Sequence, residues 1–211
     1  ICDQHGILLI LDEVMCGMGR TGSLFACEQE NIAPDIVCIA KGLGGGYQPI
    51  GAMLCTAEIY RAIEEGSGFF QHGHTYLAHP TACAAGLAVV KAIKSRGLID
   101  RVQQQGELLH TRLSETFGQH PHIGDIRGRG LFRAIELVED RATKTPFDPA
   151  RGLNKKIKKA AFAEGLVCYP GGGTIDGANG DHVLLAPAYI IEDHQIDELV
   201  SKLDSAIRQS L

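Results

Sequence analysis

The sequence predicts an α/β protein in two parts: a partial, mainly parallel sheet with its crossover segments in residues 1–96, then a smaller α+β domain in residues 97–211. Three observations carry this. An unbroken aliphatic run at residues 7–11 stops at Asp12-Glu13. A second run, residues 36–40, stops at Lys41, and the 29 residues from Asp12 to Lys41 match one strand–crossover–strand unit. Near residues 95–98 the small-residue character gives way to short strands mixed with charged amphipathic helices.

Each element has its own reason. Residues 1–6 read as the tail of a helix running into the first strand, and that strand lacks polar alternation, so it is expected to be covered on both faces. LFACEQEN (24–31) suits a short helix, Pro34-Asp35 punctuates, and residues 36–40 make the second strand. Parallel strands present their carboxyl ends on one side of a sheet, so Asp12 and Lys41 are expected to face one crevice, where open α/β sheets bind ligands. Past the glycines at 42, 44, 45 and 46, IGAMLC (50–55) reads as a short returning strand and AEIYRAIEEG as an amphipathic helix. FFQHGHTYLAH (69–79) has no clear period and reads as a loop; Pro80 then opens a long small-residue helix. Residues 99–117 carry Val102, Leu108, Leu109 and Leu113 on one helical side. The remainder predicts strands within 126–138, 166–170 and 182–189, and helices over 153–164 and 192–209. The last helix repeats Ile196, Leu199, Val200, Leu203 and Ile207 behind an acidic first turn.

With 45% hydrophobic and 21% charged residues, 211 residues suffice to bury a core. A net charge of −5 and a pI near 6.0 provide no basic field for nucleic acid or an acidic membrane surface, so neither partner is expected. No apolar run approaches the roughly 18 residues of a spanning helix. Seven scattered cysteines without a CxxC pair fit a reducing, cytoplasmic setting. The chain opens on Ile1 rather than Met and is expected to be the carboxyl-terminal piece of a longer protein.

An aspartate closing one buried strand and a lysine closing the next are costly to desolvate unless something between them needs both. Pyridoxal 5'-phosphate is such a group: its aldehyde condenses with a lysine amine, and its pyridine nitrogen stays protonated beside a carboxylate. Along a strand Asp12 and Val14 point to one face, so Val14 is expected to pack beneath the ring, and the glycines after Lys41 let the backbone pass a bulky cofactor. Each residue also has a plainer reading. A lone lysine at a strand end is usually a solvated terminus, and Asp12-Glu13 also suits a magnesium-binding strand end, which requires a GxxxxGK[ST] loop that the sequence lacks. Arg127 and Arg129 can both be turn residues, and spacing does not choose between them. Histidines 72, 74 and 79 read as loop and helix-start residues rather than metal ligands, and YPGGG (169–173) as a turn near the substrate entrance.

LDEVMCGMGRTGSLFACE, PDIVCIAKGLGGGYQPIGAM, HGHTYLAHPTACAAGLAV and DIRGRGLF, in that order, resemble the class III (omega-type) aminotransferases of the fold type I pyridoxal-phosphate superfamily. The resemblance implies a large cofactor domain, of which residues 1–96 are the carboxyl-terminal part, a small carboxyl-terminal domain in residues 97–211, and a homodimer with shared active sites. It implies that Lys41 is the catalytic Schiff-base lysine and proton carrier, Asp12 the pyridine-nitrogen partner and Val14 the residue under the ring. It places Thr75 at the phosphate of the neighbouring subunit's cofactor, and Arg127 on a substrate carboxylate. The implied reaction is transamination between an amine or omega-amino acid and a keto acid such as pyruvate. A decarboxylase of the same family is the nearest alternative, and GRTG after DEVMCGMG looks unlike the aminomutases. Without an upstream half the 211 residues are expected to bind cofactor poorly or not at all.

Overall fold

In the computed structural model, which describes residues 1–211, the aliphatic runs become neighbouring strands. β1 (Ile10–Asp12) pairs parallel with β2 (Ile36–Ile39), Asp12 lying opposite Cys38, and β3 (Ala52–Cys55) returns antiparallel along the other side of β2. The sheet is therefore mixed, ordered β1-β2-β3. α1 (Cys2–His5) precedes β1, and a 3-10 helix, Ala26–Glu30, lies in the crossover. Asp35 ties the start of β2 to β1, its carboxylate accepting the Leu9 amide at 2.7 Å.

Two-sided burial of the first strand is not what the structure shows. Regular pairing begins only at Ile10, and Ile7, Leu8 and Ile10 are 56%, 57% and 59% exposed. The physical reason is that no layer of this chain covers these side chains, and β1 is also an edge of its sheet.

α2 (Ala57–Glu65) buries no residue, whereas α3 (Pro80–Ser95) buries Ala82, Gly86 and Ile93. Proline at its first position suits a helix start, where the missing N–H has no partner to lose. Residues 69–79 between them are exposed throughout and contain only a turn.

The two compact units are Ile1–Ile99 and Asp100–Leu211. The division falls inside the first turn of α4 (Leu98–Phe117), three residues beyond the expected boundary after residue 96. In the second unit β4 (Ile123–Arg129), β5 (Phe132–Leu137), β6 (Tyr169–Gly172) and β7 (Asp181–Leu185) form an antiparallel sheet ordered β4-β5-β7-β6. α4, α5 (Leu153–Ala163) and α6 (Asp193–Ser210) supply the apolar stripes that pack on it. Alternation along β5 and β7 buries Ile135, Leu137, Val183 and Leu185, which meet Leu109 and Leu113 of α4, Ile157 of α5 and Ile196, Leu203 and Ile207 of α6 in one cluster. YPGGG is not a turn: its first four residues are the edge strand β6, where Pro170 costs no essential ladder bond. No helix is long and apolar enough to cross a membrane.

Candidate functional site

Asp12 ends β1, and the amide of the next residue, Glu13, donates to Cys38 O at 2.9 Å, carrying the ladder one step past it. Lys41 stands three residues beyond Cys38, just past the carboxyl end of the neighbouring strand β2. At no more than about 3.3 Å per residue and about 4.8 Å between strands, the two Cα atoms lie within about 15 Å. Both side chains are exposed, so this acid and amine are not the buried pair that the aliphatic runs imply. Their exposure follows from β1 being an edge and from the chain leaving the sheet at both residues.

Asp12 Oδ1 accepts the Val14 amide at 2.9 Å, a turn that ends the strand. Val14 thus lies beyond regular pairing, and strand alternation does not set its direction. Lys41 opens a 3-10 helix, Lys41–Gly44, with a backbone φ of 38°, a left-handed conformation that non-glycine residues hold only where their surroundings impose it. The loop that Lys41 opens closes against α3. Gly45 is also left-handed (φ 58°), and a Cβ there would sit 2.9 Å from Val89 Cγ2. Gly86 of α3 faces Ile50 and the Leu43 carbonyl. Gly45 is therefore required by this chain's own packing, a reason additional to the passage of a cofactor.

Thr75 begins the exposed turn at residues 75–78, next to His74, whose Nδ1 accepts the Tyr76 amide at 3.2 Å. Arg127 lies in the second unit, on β4. Its terminal nitrogens donate to Asp125 Oδ2 at 2.7 Å and Glu136 Oε1 at 2.6 Å across the β4–β5 pair. Hydrogen bonds to Glu136 and then Asp125 raise the pKa of the guanidinium further. The arginine expected to grip a substrate carboxylate is thus already engaged by two carboxylates, Asp125 half exposed and Glu136 about a third exposed.

The residue that sequence reasoning missed is Glu13. It is 2% exposed, with Oε2 accepting the Ala26 amide at 2.6 Å and Oε1 the Cys27 amide at 2.8 Å. The acidic pair after a strand was a visible signal; which member turns inward was not.

The chain matches the aminotransferase class-III family over residues 1–207. The chain belongs to this family. An uncharacterised aminotransferase of Schizosaccharomyces pombe is 47% identical over 211 residues, covering all of this chain and 46% of that protein. Among solved structures, a Bacillus anthracis aminotransferase superposes with a TM-score of 0.91 at 38% identity, over 99% of this chain and 46% of its own. An amine transaminase from an uncultivated Pseudomonas species, solved with pyridoxal phosphate bound, superposes with a TM-score of 0.89 at 37% identity, over 100% and 46%. This class-III chain has the α/β fold of the fold type I transaminases and spans less than half the length of the relatives it matches.

The donor set fits the family's cofactor. A carboxylate with one oxygen left over from its turn and a lysine amine one strand away share an edge, and a glycine loop continues from the lysine.

Proposed function

We propose that the protein containing this chain transfers an amino group from an amine or omega-amino acid to a keto acid such as pyruvate, using pyridoxal 5'-phosphate. The single observation carrying this reading is the parallel register that sets Asp12 opposite Cys38 and hence Lys41 at the same edge. When bound, the cofactor supplies an electron sink for the substrate's alpha carbon. The chain's residues do the rest. Asp12 Oδ1 is occupied by the Val14 amide, so Oδ2 is the oxygen proposed to accept a ring N–H. Val14 is proposed beneath the ring. Lys41 would hold the cofactor through Nζ, and its free amine would carry the proton away from the substrate's alpha carbon.

Thr75, on an exposed segment, is proposed to donate its hydroxyl toward a phosphate held by a second copy of the chain, making the active unit a homodimer. Arg127 is the proposed carboxylate site, and a carboxylate must displace Glu136 or Asp125 to make a two-pronged contact.

The test is an assay of the full-length protein with pyruvate and an amine, an omega-amino acid or a dialkyl amino acid, following alanine and carbon dioxide. Amino transfer without carbon dioxide release is expected, and Lys41→Ala should lower turnover by at least about a hundredfold. Carbon dioxide release from an amino acid substrate, with or without pyruvate consumption, would show a decarboxylase instead. Undiminished transfer by Lys41→Ala would overturn the assignment.

A further inference from the structure

Glu13 is the buried acid beside the proposed cofactor carboxylate, and its bonds run in three directions. Its amide donates to Cys38 O on β2 at 2.9 Å, its carbonyl accepts the Gly17 amide at 2.9 Å, and its two carboxylate oxygens take the Ala26 and Cys27 amides. Ala26 and Cys27 open the 3-10 helix Ala26–Glu30, whose preceding residue, Phe25, provides no side-chain cap. Glu13 therefore closes the whole 14–25 loop across 13 to 14 residues of chain. The fit is close: a Cβ on Gly17 would lie 2.7 Å from Glu13 O and 3.2 Å from its Oε2. Both side-chain oxygens of Glu13 thus serve as acceptors for backbone N–H groups. Met18, Thr21 and Gly22, within the loop so closed, are buried.

Asp12 has no comparable anchor. Its side chain is exposed, and its carboxylate accepts the Val14 amide in the adjacent turn. Its direction is thus inherited from the peptide unit that Glu13 pins to β2 and from the loop that Glu13 holds shut. We infer that Glu13 is a positioning residue for the cofactor site: through the Ala26 and Cys27 amides it locks the loop after β1 and so aims the Asp12 carboxylate. The inference rests on the reading of Asp12 as the ring-nitrogen partner.

The test uses apoprotein of the full-length chain titrated with pyridoxal phosphate, with affinity read from absorbance and amide exchange read at Ala26 and Cys27. Glu13→Gln places an NH₂ against one backbone N–H, so affinity should fall by about tenfold or more, with faster exchange at those amides. Ala26→Pro removes one donor where the backbone permits it: Phe25 is extended (φ −117°, ψ 139°) and a helix's first position tolerates proline. That variant alone should weaken binding a few-fold, and combined with Glu13→Gln it should restore part of the affinity, because the opposed donor is gone. A purely structural contribution elsewhere would not produce this rescue.

Asp12→Asn separates the two claims. If Asp12→Asn abolishes tight binding while Glu13→Gln leaves affinity unchanged, Asp12 keeps its role and the positioning claim fails. If Asp12→Asn binds like the native protein, the site reading falls and the inference with it. Should Glu13→Gln not fold, Ala26→Pro alone decides, and native affinity in that variant overturns the inference.

Discussion

Asp12 and Glu13 are adjacent carboxylates with opposite surroundings: one is exposed at a strand end, the other is buried under two backbone amides. A sequence shows the acidic pair but not this division, because the inward turn of Glu13 depends on amides 13 and 14 residues away. The Asp12–Lys41 relationship was legible because it needs only two aliphatic runs and a parallel crossover. Arg127 was legible as a position and not as a state, since its partners Asp125 and Glu136 meet it only once β4 and β5 pair. Removing one of those partners tests the competition. Glu136→Gln should lower the KM for a carboxylate substrate several-fold while costing less than about 1 kcal/mol of stability, as exposed ion pairs do. An unchanged KM would argue that carboxylates bind elsewhere.

At the scale of elements, local periodicity located the helices and the antiparallel strands well, because α4, α5 and α6 each present an apolar stripe to one sheet. It overestimated β1 and took β6 for a turn, since burial on two faces and pairing at an edge depend on what lies alongside. α4 also carries a contact that no periodicity reveals. A Cβ on Gly106 would sit 2.3 Å from the Gly130 carbonyl oxygen at the β4–β5 turn. Gly106→Ala should therefore destabilise the second unit by about 3 kcal/mol, measured by denaturant unfolding.

The segment after α4 adds a pH dependence. His120 sits between Phe117 and His122, its Nδ1 accepting the His122 amide at 3.1 Å. Burial lowers its pKa below the ordinary 6.5, with His122 and Arg208 acting in the same direction. A depressed folded-state value means the unfolded chain binds the proton more readily. The associated stability is present above pH 6.5 and is lost as pH falls through the folded value. Unfolding free energy should decline from pH 7.5 to pH 5, and His120→Asn, whose Oδ1 keeps an acceptor for the His122 amide, should flatten that slope. An unaltered slope would assign the effect to other groups.

At the scale of the whole molecule, the second unit has a continuous buried core while the first leaves much of its apolar surface open. Ile7, Leu8, Phe69, Tyr76, Leu77 and Leu87 are each more than half exposed. Surface of this kind marks contact with further protein. The 211 residues expressed alone should self-associate, with sedimentation showing mass rising with concentration; a strict monomer across micromolar concentrations would contradict the expectation.

Asp12 and Lys41 are proposed to grip one cofactor from the ends of neighbouring strands. Borohydride reduction of the full-length protein, followed by peptide mapping, tests it most directly. A pyridoxyl adduct on Lys41 is the predicted result; an adduct on any other lysine, or none, would contradict it.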